Sequence, residues 1–192
     1  RSHCNLAPLP VAQVKKSDAA SFETLPTLEI IVAPAFVQSR FQKLKERKFL
    51  SVHFYPFQKP NILVTDPEQT IEIFIKAFPE MRFGAIIGER VERMVYPPAL
   101  YKAISQILRR KNISYFEIIN DAADTQGIDY ILKAGFVPSA YFPSLKRSGE
   151  ARRDYVVFGK CYEKFIMEST LTNPHLNYLS EYEKCEKSAN CS

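Results

Sequence analysis

Apolar residues recur with helical spacing over residues 97–111, which is the most regular stretch of the chain. They fall at i, i+1, i+4, i+5, i+8 and i+9, so they form one stripe on a helix of ~3.6 residues per turn. Pro97 and Pro98 suit the first turn, where the N–H group that proline lacks has no intrahelical partner. The pattern therefore predicts an amphipathic helix. Its apolar stripe consists of Ala99, Leu100, Ala103, Ile104, Ile107 and Leu108.

Short runs of β-branched and aromatic residues flank this helix, at residues 81–88 and 113–120. Both runs are bounded by glycine, asparagine or charged residues, and both are therefore predicted to be strands. A helix entered from the end of a strand presents free backbone N–H groups and the positive end of its dipole. The start of the predicted helix is therefore a candidate site for a phosphate group.

The rest of the chain alternates between strand-like and helix-like patterns. Further strands are predicted at residues 28–33, 49–55, 61–65, 136–142 and 154–159. Further helices are predicted at residues 36–48, 66–78 and 127–134, the second because Asp66 and Pro67 are typical of a helix start. We expect the strands at 49–55 and 61–65 to be antiparallel neighbours, and the charged residues 146–153 to form a hairpin loop.

Strands interleaved with helices predict an α/β fold with a mixed, mostly antiparallel sheet flanked by helices. The domain is expected to cover residues 28–162. An extended arm at residues 1–27 precedes it, because that stretch lacks periodicity and contains several prolines. A polar tail at residues 163–192 follows it. A chain of 192 residues is long enough for one such domain with a hydrophobic core.

The composition argues against a membrane protein. Hydrophobic residues make up 46% of the chain, but no run approaches the ~18 consecutive apolar residues that a membrane span needs. We therefore expect a soluble protein without a membrane partner. The first residue is not methionine, which indicates a partial or processed chain and makes an upstream domain of the same protein a candidate partner.

The charge distribution bears on the choice of partners. A formal net charge of +5 favours anionic partners through the long-range field of the protein. The densest basic stretches are residues 43–48 and 146–153. We interpret both as solvated faces, because a nucleic-acid groove also needs interleaved aromatic residues. Nucleic acid is therefore not an expected partner.

The four cysteines show no Cys-x-x-Cys spacing, and the chain has three histidines to accompany them. A zinc site, or any other metal site, is therefore not expected. Reduced thiols in the cytoplasm are the preferred interpretation. The alternative is an oxidising compartment in which Cys185 pairs with Cys191, and there Asn112 and Asn190 would stand in glycosylation sequons.

The order of motifs after residue 80 resembles the C-terminal half of the GNAT superfamily of acyl-CoA N-acyltransferases. That family has a strand, a Val-x-Pro turn, a helix, a strand, a short helix ending in Gly-Phe, and a strand hairpin. Val95 and Pro97 match the Val-x-Pro turn, and Leu108 matches a leucine of the following helix. Gly135 and Phe136 match the later Gly-Phe. The resemblance covers residues 81–159 well, and residues 28–78 more loosely because a helix at 66–78 departs from the family order.

The resemblance implies that backbone amides at the start of this helix bind the pyrophosphate of CoA. Ala103 and Ser105 stand where the family has glycines, and their small side chains keep a close approach to the backbone. Leu100 replaces an arginine or glutamine and removes a polar contact. The tyrosine that often serves the family as an acid corresponds to Ile131 here. Tyr130, one position away, points ~100° from that direction. The cofactor-binding residues implied are Val95, Leu100, Tyr101, Lys102, Ala103, Ile104, Ser105 and Asn120.

The resemblance also implies where acyl transfer would occur. In a GNAT-like sheet the strands at residues 81–88 and 113–120 splay apart, and polar residues near their ends face the acyl group. Glu89, Glu117 and Tyr141 are the catalytic candidates on that basis. A carboxylate there would act as general base if burial raised its pKa, and the alternative for each is a solvated side chain without a role. His53 is a weaker candidate base, because a histidine in an apolar strand is more often structural.

Two hypotheses about function therefore stand. The first is an acyltransferase that moves an acyl group from acetyl-CoA, another acyl-CoA or a carrier-protein thioester to an amine that the sequence does not specify. The second is a non-catalytic GNAT-like module that binds a partner within a larger protein. The small residues at the glycine positions favour the first hypothesis. The missing tyrosine and the missing glycines favour the second.

Overall fold

The computed structural model describes residues 22–52, 58–163, 180 and 184. Most of the predicted arm and tail, His53, and the cysteines other than Cys161 lie outside the described residues, and Cys161 is a free thiol. The elements in chain order are β1 (Glu29–Ile31), α1 (Pro34–Glu46), β2 (Ser51–Val52), β3 (Ile62–Thr65), β4 (Ile71–Phe78), β5 (Phe83–Val91), α2 (Pro97–Arg110), β6 (Tyr115–Asp121), α3 (Thr125–Lys133), β7 (Val137–Ser148) and β8 (Ala151–Cys161).

The strands of the described residues form one eight-stranded sheet in the order β1-β3-β4-β5-β6-β8-β7, with β2 paired to β5 outside this path. Only β5 and β6 are parallel among the pairs of described strands. The prediction of a mixed, mostly antiparallel sheet flanked by helices is confirmed. Among the described residues, no helix is long and apolar enough to cross a membrane.

Helices cover both faces of the sheet. Side chains alternate between the two faces of a strand, so β4 buries Ile73 and Ile75 on one face and Phe74 on the other. The larger core lies between the sheet and the helices α2 and α3. The smaller core lies beneath α1, where the rings of Phe41 and Phe74 meet edge to face at 5.3 Å. Burial on both faces explains why β4 is apolar along almost its whole length.

The predicted helix at residues 66–78 is wrong, because these residues form a turn and then β4. Asp66 accepts hydrogen bonds from the backbone N–H of Ile71 and from the hydroxyl of Thr70, each at 2.7 Å, and so closes the turn. The capping signal at Asp66 was thus a turn signal. The apolar positions fit a helical stripe, but they fit a doubly buried strand equally well. The departure from the GNAT order that this helix implied is therefore absent.

Two further predictions about strand pairing are wrong. The strand that begins at Ser51 pairs with β5, whereas β3 pairs with β1 and β4. The predicted loop at residues 146–153 is mostly strand, since β7 and β8 stay paired up to Ser148 and Ala151. Gly149 makes the tight turn with a φ of +63°, in the left-handed region that glycine adopts without strain.

Candidate functional site

The two parallel strands at the centre of the sheet touch over a short length only. Residues Phe83 to Ala85 of β5 pair with Tyr115 to Glu117 of β6, and the pairing ends there. Farther along β5 the register with β4 shifts, because Phe74 pairs with Gly88 and Ile75 with Ile86. Ile87 is therefore the extra residue of a β-bulge, which bends the strand. We call the space between β5 and β6 beyond their last pair the notch.

The chain places its own segment β2 along the notch edge of β5. Ser51 pairs with Glu89 and Val52 with Gly88, both antiparallel. Since β4 occupies the other edge of β5, β2 must lie on the edge that faces β6. Glycine at position 88 fits this arrangement, because an added Cβ would lie 3.0 Å from the carbonyl oxygen of Ser51 and 3.1 Å from the ring of Phe41. Sequence reasoning missed this pairing, which joins residues about 37 positions apart with no local signal.

Glu89 and Tyr101, two of the predicted site residues, are brought together beside the notch. The hydroxyl of Tyr101 donates to the carboxylate of Glu89, at 3.3 Å from Oε2 and 3.4 Å from Oε1. Burial and the neighbouring charge of Glu89 raise the pKa of Tyr101 far above its usual value. Tyr101 therefore stays protonated and remains a donor over the whole physiological pH range.

The start of α2 offers few backbone donors to an anion. Pro97 and Pro98 have no N–H group, and the N–H groups of Ala99 and Leu100 both donate to the carbonyl oxygen of Tyr96, at 3.0 and 3.2 Å. The amides from Tyr101 onward are used inside the helix. The prolines that predict the helix start also argue against a phosphate site there, since each one removes a backbone donor.

Several of the predicted cofactor-binding residues face the protein interior. Leu100 and Ile104 are in the main core, and Val95 is buried as well. Ser105 is buried, donates to the carbonyl oxygen of Lys102 at 2.9 Å, and accepts from the hydroxyl of Tyr162 at 2.8 Å. The residues of this stretch with exposed or partly exposed side chains are Tyr101, Lys102 and Ala103.

Aromatic rings from three segments meet at the start of α2. The ring of Tyr96 lies 5.1 Å from that of Phe22 and 6.1 Å from that of Tyr130 on α3. The backbone N–H of Glu23 donates to the carbonyl oxygen of Met94 at 2.8 Å. The segment that begins at Phe22 therefore lies against the turn before α2. This contact was not predicted, because residues 1–27 carry no periodic pattern.

No family model matches the sequence, and no curated protein sequence matches it. The structure of the ribosomal-protein-S18-alanine N-acetyltransferase from Escherichia coli superposes with a TM-score of 0.52, at 10% sequence identity, over 76% of this chain and 99% of that chain. The chain has the fold of the GNAT superfamily. A protein provisionally assigned as a phosphinothricin N-acetyltransferase matches with a TM-score of 0.51, at 12% identity, over 72% of this chain and 100% of that one.

The GNAT fold places Asn120 at the end of β6, next to the start of α3. Its side-chain amide donates to the carboxylate of Asp124 at 3.2 Å, and Asp124 in turn accepts from the N–H of Gly127 at 2.9 Å as the helix N-cap. Asn120 therefore links two structural elements at the notch end of the sheet. Among the described residues, no cluster of histidine, cysteine, aspartate and glutamate side chains is arranged to hold a metal ion.

Glu117 and Tyr141 do not join Glu89 in this GNAT-fold sheet. Phe116 and Ile118 face the core beneath α2, so the alternation of side chains puts Glu117 on the opposite face. Tyr141 lies on β7, two strand spacings or ~10 Å from β6, because β8 stands between them. Its hydroxyl donates to Asp154 on the exposed surface of the hairpin, and this hydrogen bond raises the pKa of Tyr141.

Proposed function

We propose that this GNAT-fold chain transfers an acyl group from a thioester to an amine at the notch between β5 and β6. The placement of Glu89 carries the proposal: it follows the bulge in β5 and receives a hydrogen bond from Tyr101. A carboxylate held beside a gap between two strands is placed to accept a proton from a substrate amine. The two solved structures that share the fold are named as N-acetyltransferases, which supports an amine as the acceptor.

In the proposed reaction the amine nitrogen bonds to the thioester carbonyl carbon, and the carbon–sulfur bond breaks. Glu89 accepts one proton from the attacking nitrogen and later releases it to solvent, and the departing thiolate takes up one proton from solvent and leaves as a thiol. Once β2 is displaced, backbone N–H groups of β5 near the bulge at Ile87 become donors for the developing oxyanion. Tyr101 acts as a positioning residue through Glu89. Glu117 and Tyr141 have no part in this scheme, because they lie away from Glu89.

The proposed donor is an acyl group on a pantetheine arm, as in acetyl-CoA, another acyl-CoA or an acyl carrier. An extended arm along β5 would use the edge where Ser51 and Val52 now pair, so its binding has to displace β2. Each backbone hydrogen bond given up there is worth only ~0.5–1.5 kcal/mol, and the arm replaces it. The scarcity of donors at Pro97 and Pro98 predicts weak binding of the pyrophosphate of free CoA.

The second candidate function is a non-catalytic binding module with a GNAT fold. Two observations favour it. The start of α2 lacks the backbone donors of a pyrophosphate site, and β2 lies along the edge that a thioester arm would use. On this hypothesis the notch is filled by the chain itself and the outer surface binds a partner.

A donor and acceptor assay separates the two functions. The chain would be incubated with acetyl-CoA or acetyl-loaded acyl carrier protein and a mixture of primary amines, and new amides would be detected by mass spectrometry. The enzyme hypothesis expects thioester-dependent amide formation that Glu89→Gln reduces by ~10²–10⁴-fold. The matched control is Glu92→Gln, an exposed carboxylate just beyond the end of β5. Equal rates for Glu89→Gln and the control, or no amide with either donor, would support the binding module.

A further inference from the structure

The tip of the β7–β8 hairpin carries like charges directly opposite each other. Lys146 pairs with Arg153, and Arg147 pairs with Arg152, in consecutive cross-strand positions. All four side chains are exposed. Like charges at directly opposed positions of an antiparallel pair destabilise it, so two such pairs in succession work against the hairpin itself. We call these four residues the basic tip.

The protein neutralises little of this charge. Among the described residues, Arg153 is the one member of the basic tip with a carboxylate partner, Asp121 at 2.8 Å. Arg147 and Arg152 donate to backbone carbonyl oxygens of the same hairpin, those of Gly149 and Ser144. These bonds hold the guanidinium groups in place and leave their charges uncompensated. Consecutive cross-strand pairs lie on opposite faces of the hairpin, so the basic tip presents positive charge on both faces and attracts an anionic partner.

The basic tip stands at the same end of the sheet as the notch. β6 ends at Asp121, which pairs with Tyr155 of β8, so residues 151–154 extend beyond the end of β6. β5 and β6 run parallel and separate toward that same end. A partner bound at the basic tip therefore sits beside the mouth of the notch. Phe142 lies on the same hairpin with 42% of its surface exposed, and aromatic residues and arginine are both enriched in protein interfaces.

The scarcity of backbone hydrogen-bond donors at the start of α2 indicates what kind of acyl donor this partner carries. Free CoA relies on its phosphates for affinity, and Pro97 and Pro98 leave that region poor in donors. A carrier protein presents the same pantetheine arm on one phosphodiester and gains its affinity from protein surface. We propose that the acyl donor is a thioester on an acidic carrier protein, which docks on the basic tip and threads its arm into the notch. This inference rests on the proposed acyl transfer.

Reversing one charge of the basic tip tests docking of the carrier protein separately from folding. Arg147→Glu turns a like-charge pair with Arg152 into an ion pair, so we expect the melting temperature to stay the same or rise. The same change should raise KM for an acetyl-loaded acyl carrier protein about tenfold and leave transfer from acetyl-pantetheine unchanged. Added salt should raise the wild-type KM toward that of the variant. Lys111→Glu is the matched control, because Lys111 is exposed at the far end of α2 and the change of charge is the same.

The outcomes are distinct for this inference and for the proposed function. Equal carrier kinetics for Arg147→Glu and Lys111→Glu would overturn the docking site while the acyl transfer stands. If no donor supports transfer, direct binding of the carrier protein by fluorescence anisotropy tests the docking alone. Loss of that binding in Arg147→Glu would support the basic tip, and absence of binding by the wild-type chain would overturn it. Tighter binding of an oligonucleotide duplex than of the carrier, lost in Arg147→Glu, would also overturn it in favour of nucleic acid.

Discussion

The hydroxyl of Tyr101 lies 3.3 Å from Oε2 of Glu89 and joins helix α2 to the strand that forms one wall of the notch. The bond couples a helix that was predicted from its apolar stripe to a carboxylate that was predicted from its position at a strand end. Because burial raises the pKa of Tyr101 far above its usual value, the hydroxyl stays protonated at physiological pH and remains a donor to Glu89.

Tyr101→Phe should reduce acyl transfer about tenfold while leaving KM for the amine nearly unchanged, because Glu89 loses the contact that fixes its orientation. A positioning role is distinguished from a structural one by comparing kcat with the melting temperature. The matched control is Tyr130→Phe, since Tyr130 accepts a hydrogen bond from Gln126 on the surface of α3. A fall in kcat for Tyr130→Phe as large as for Tyr101→Phe would argue against the positioning role of Tyr101.

Gly88→Ala should loosen the pairing of β2 with β5. The added Cβ would stand 3.0 Å from the carbonyl oxygen of Ser51 and 3.2 Å from Cδ2 of Leu50, closer than side chains normally pack. We expect faster hydrogen exchange of the backbone at residues 50–52 and a loss of ~1–3 kcal/mol in the free energy of unfolding.

The control for this substitution is Gly84→Ala in the same strand. There the nearest neighbour of an added Cβ is a side-chain methyl group of Ile113 at 3.2 Å, and no atom of β2 is near. It should destabilise the protein without changing exchange at residues 50–52. Identical exchange in the two variants would contradict the placement of β2 on the notch edge.

Asp66 should make the stability of the protein depend on pH in acid. Burial opposes ionisation of this carboxyl, but the hydrogen bonds from Ile71 and Thr70 outweigh it and lower its pKa. A carboxyl whose pKa is lower in the folded state stabilises the protein above its unfolded value of ~3.9, and this contribution is lost as the pH falls through the folded value. Asp66→Asn should therefore cost ~1–3 kcal/mol at pH 7 and progressively less below pH 4.

Urea unfolding at pH 7, 5 and 3 measures this dependence. Asp129→Asn is the comparison, because Asp129 forms a partly exposed ion pair with Lys133 on the surface of α3. Its effect should stay below ~0.5 kcal/mol at every pH. A constant difference between wild type and Asp66→Asn from pH 7 to pH 3 would contradict the role assigned to the ionised carboxyl.

Lys160 should contribute a second pH dependence, in the alkaline range. Burial, with a smaller contribution from Lys102, lowers its pKa to about 8. Its amine donates to the carbonyl oxygen of Ala134 at the end of α3, at 2.7 Å, beside the ring of Phe136. Between pH ~8 and the unfolded value of ~10.4 the unfolded chain binds more protons than the folded chain, so stability rises with pH across this interval.

The free energy of unfolding of wild type should therefore rise relative to that of Lys160→Met between pH 8 and pH 10. After allowance for partial solvent screening, we expect a relative gain of roughly 1 kcal/mol. Lys111→Met serves as the control, since Lys111 is exposed. Acetic anhydride at pH 8 should also label Lys160 in preference to Lys111, if solvent reaches both amines. Equal pH dependence of the two variants would contradict the lowered pKa.

Local pattern was sufficient for most of the fold. The stripe that includes Leu100 and Ile104 predicted α2 within one residue at its C-terminal end, and the Gly135-Phe136 match predicted the end of α3. The segment at residues 66–78 failed because Ile71, Phe74, Ile75 and Phe78 satisfy a helical spacing and a doubly buried strand at once. Local sequence cannot separate these, and the partners that decide the matter are β3 and β5.

Only part of the candidate site could be predicted from the sequence. Glu89 and Tyr101 were both named, but their contact depends on how α2 packs on the sheet. The position of β2 depends on the bulge at Ile87 and on the early end of the β5–β6 pairing, which are properties of the assembled sheet. By contrast, the loss of backbone donors at Pro97 and Pro98 follows from the sequence as soon as a helix start is assigned there.

The short parallel contact between Phe83–Ala85 and Tyr115–Glu117 should allow the fold to tolerate a break in the backbone. It divides the sheet into an N-terminal part, made of β1, β3, β4 and β5, and a C-terminal part, made of β6, β8 and β7. The two parts are joined by three residue pairs and by the packing of α2. A protein built in this way is suited to fragment complementation. Two polypeptides made by dividing the chain at the exposed turn at Asn112 should reassemble into the native sheet, because each part of the sheet retains all of its antiparallel ladders.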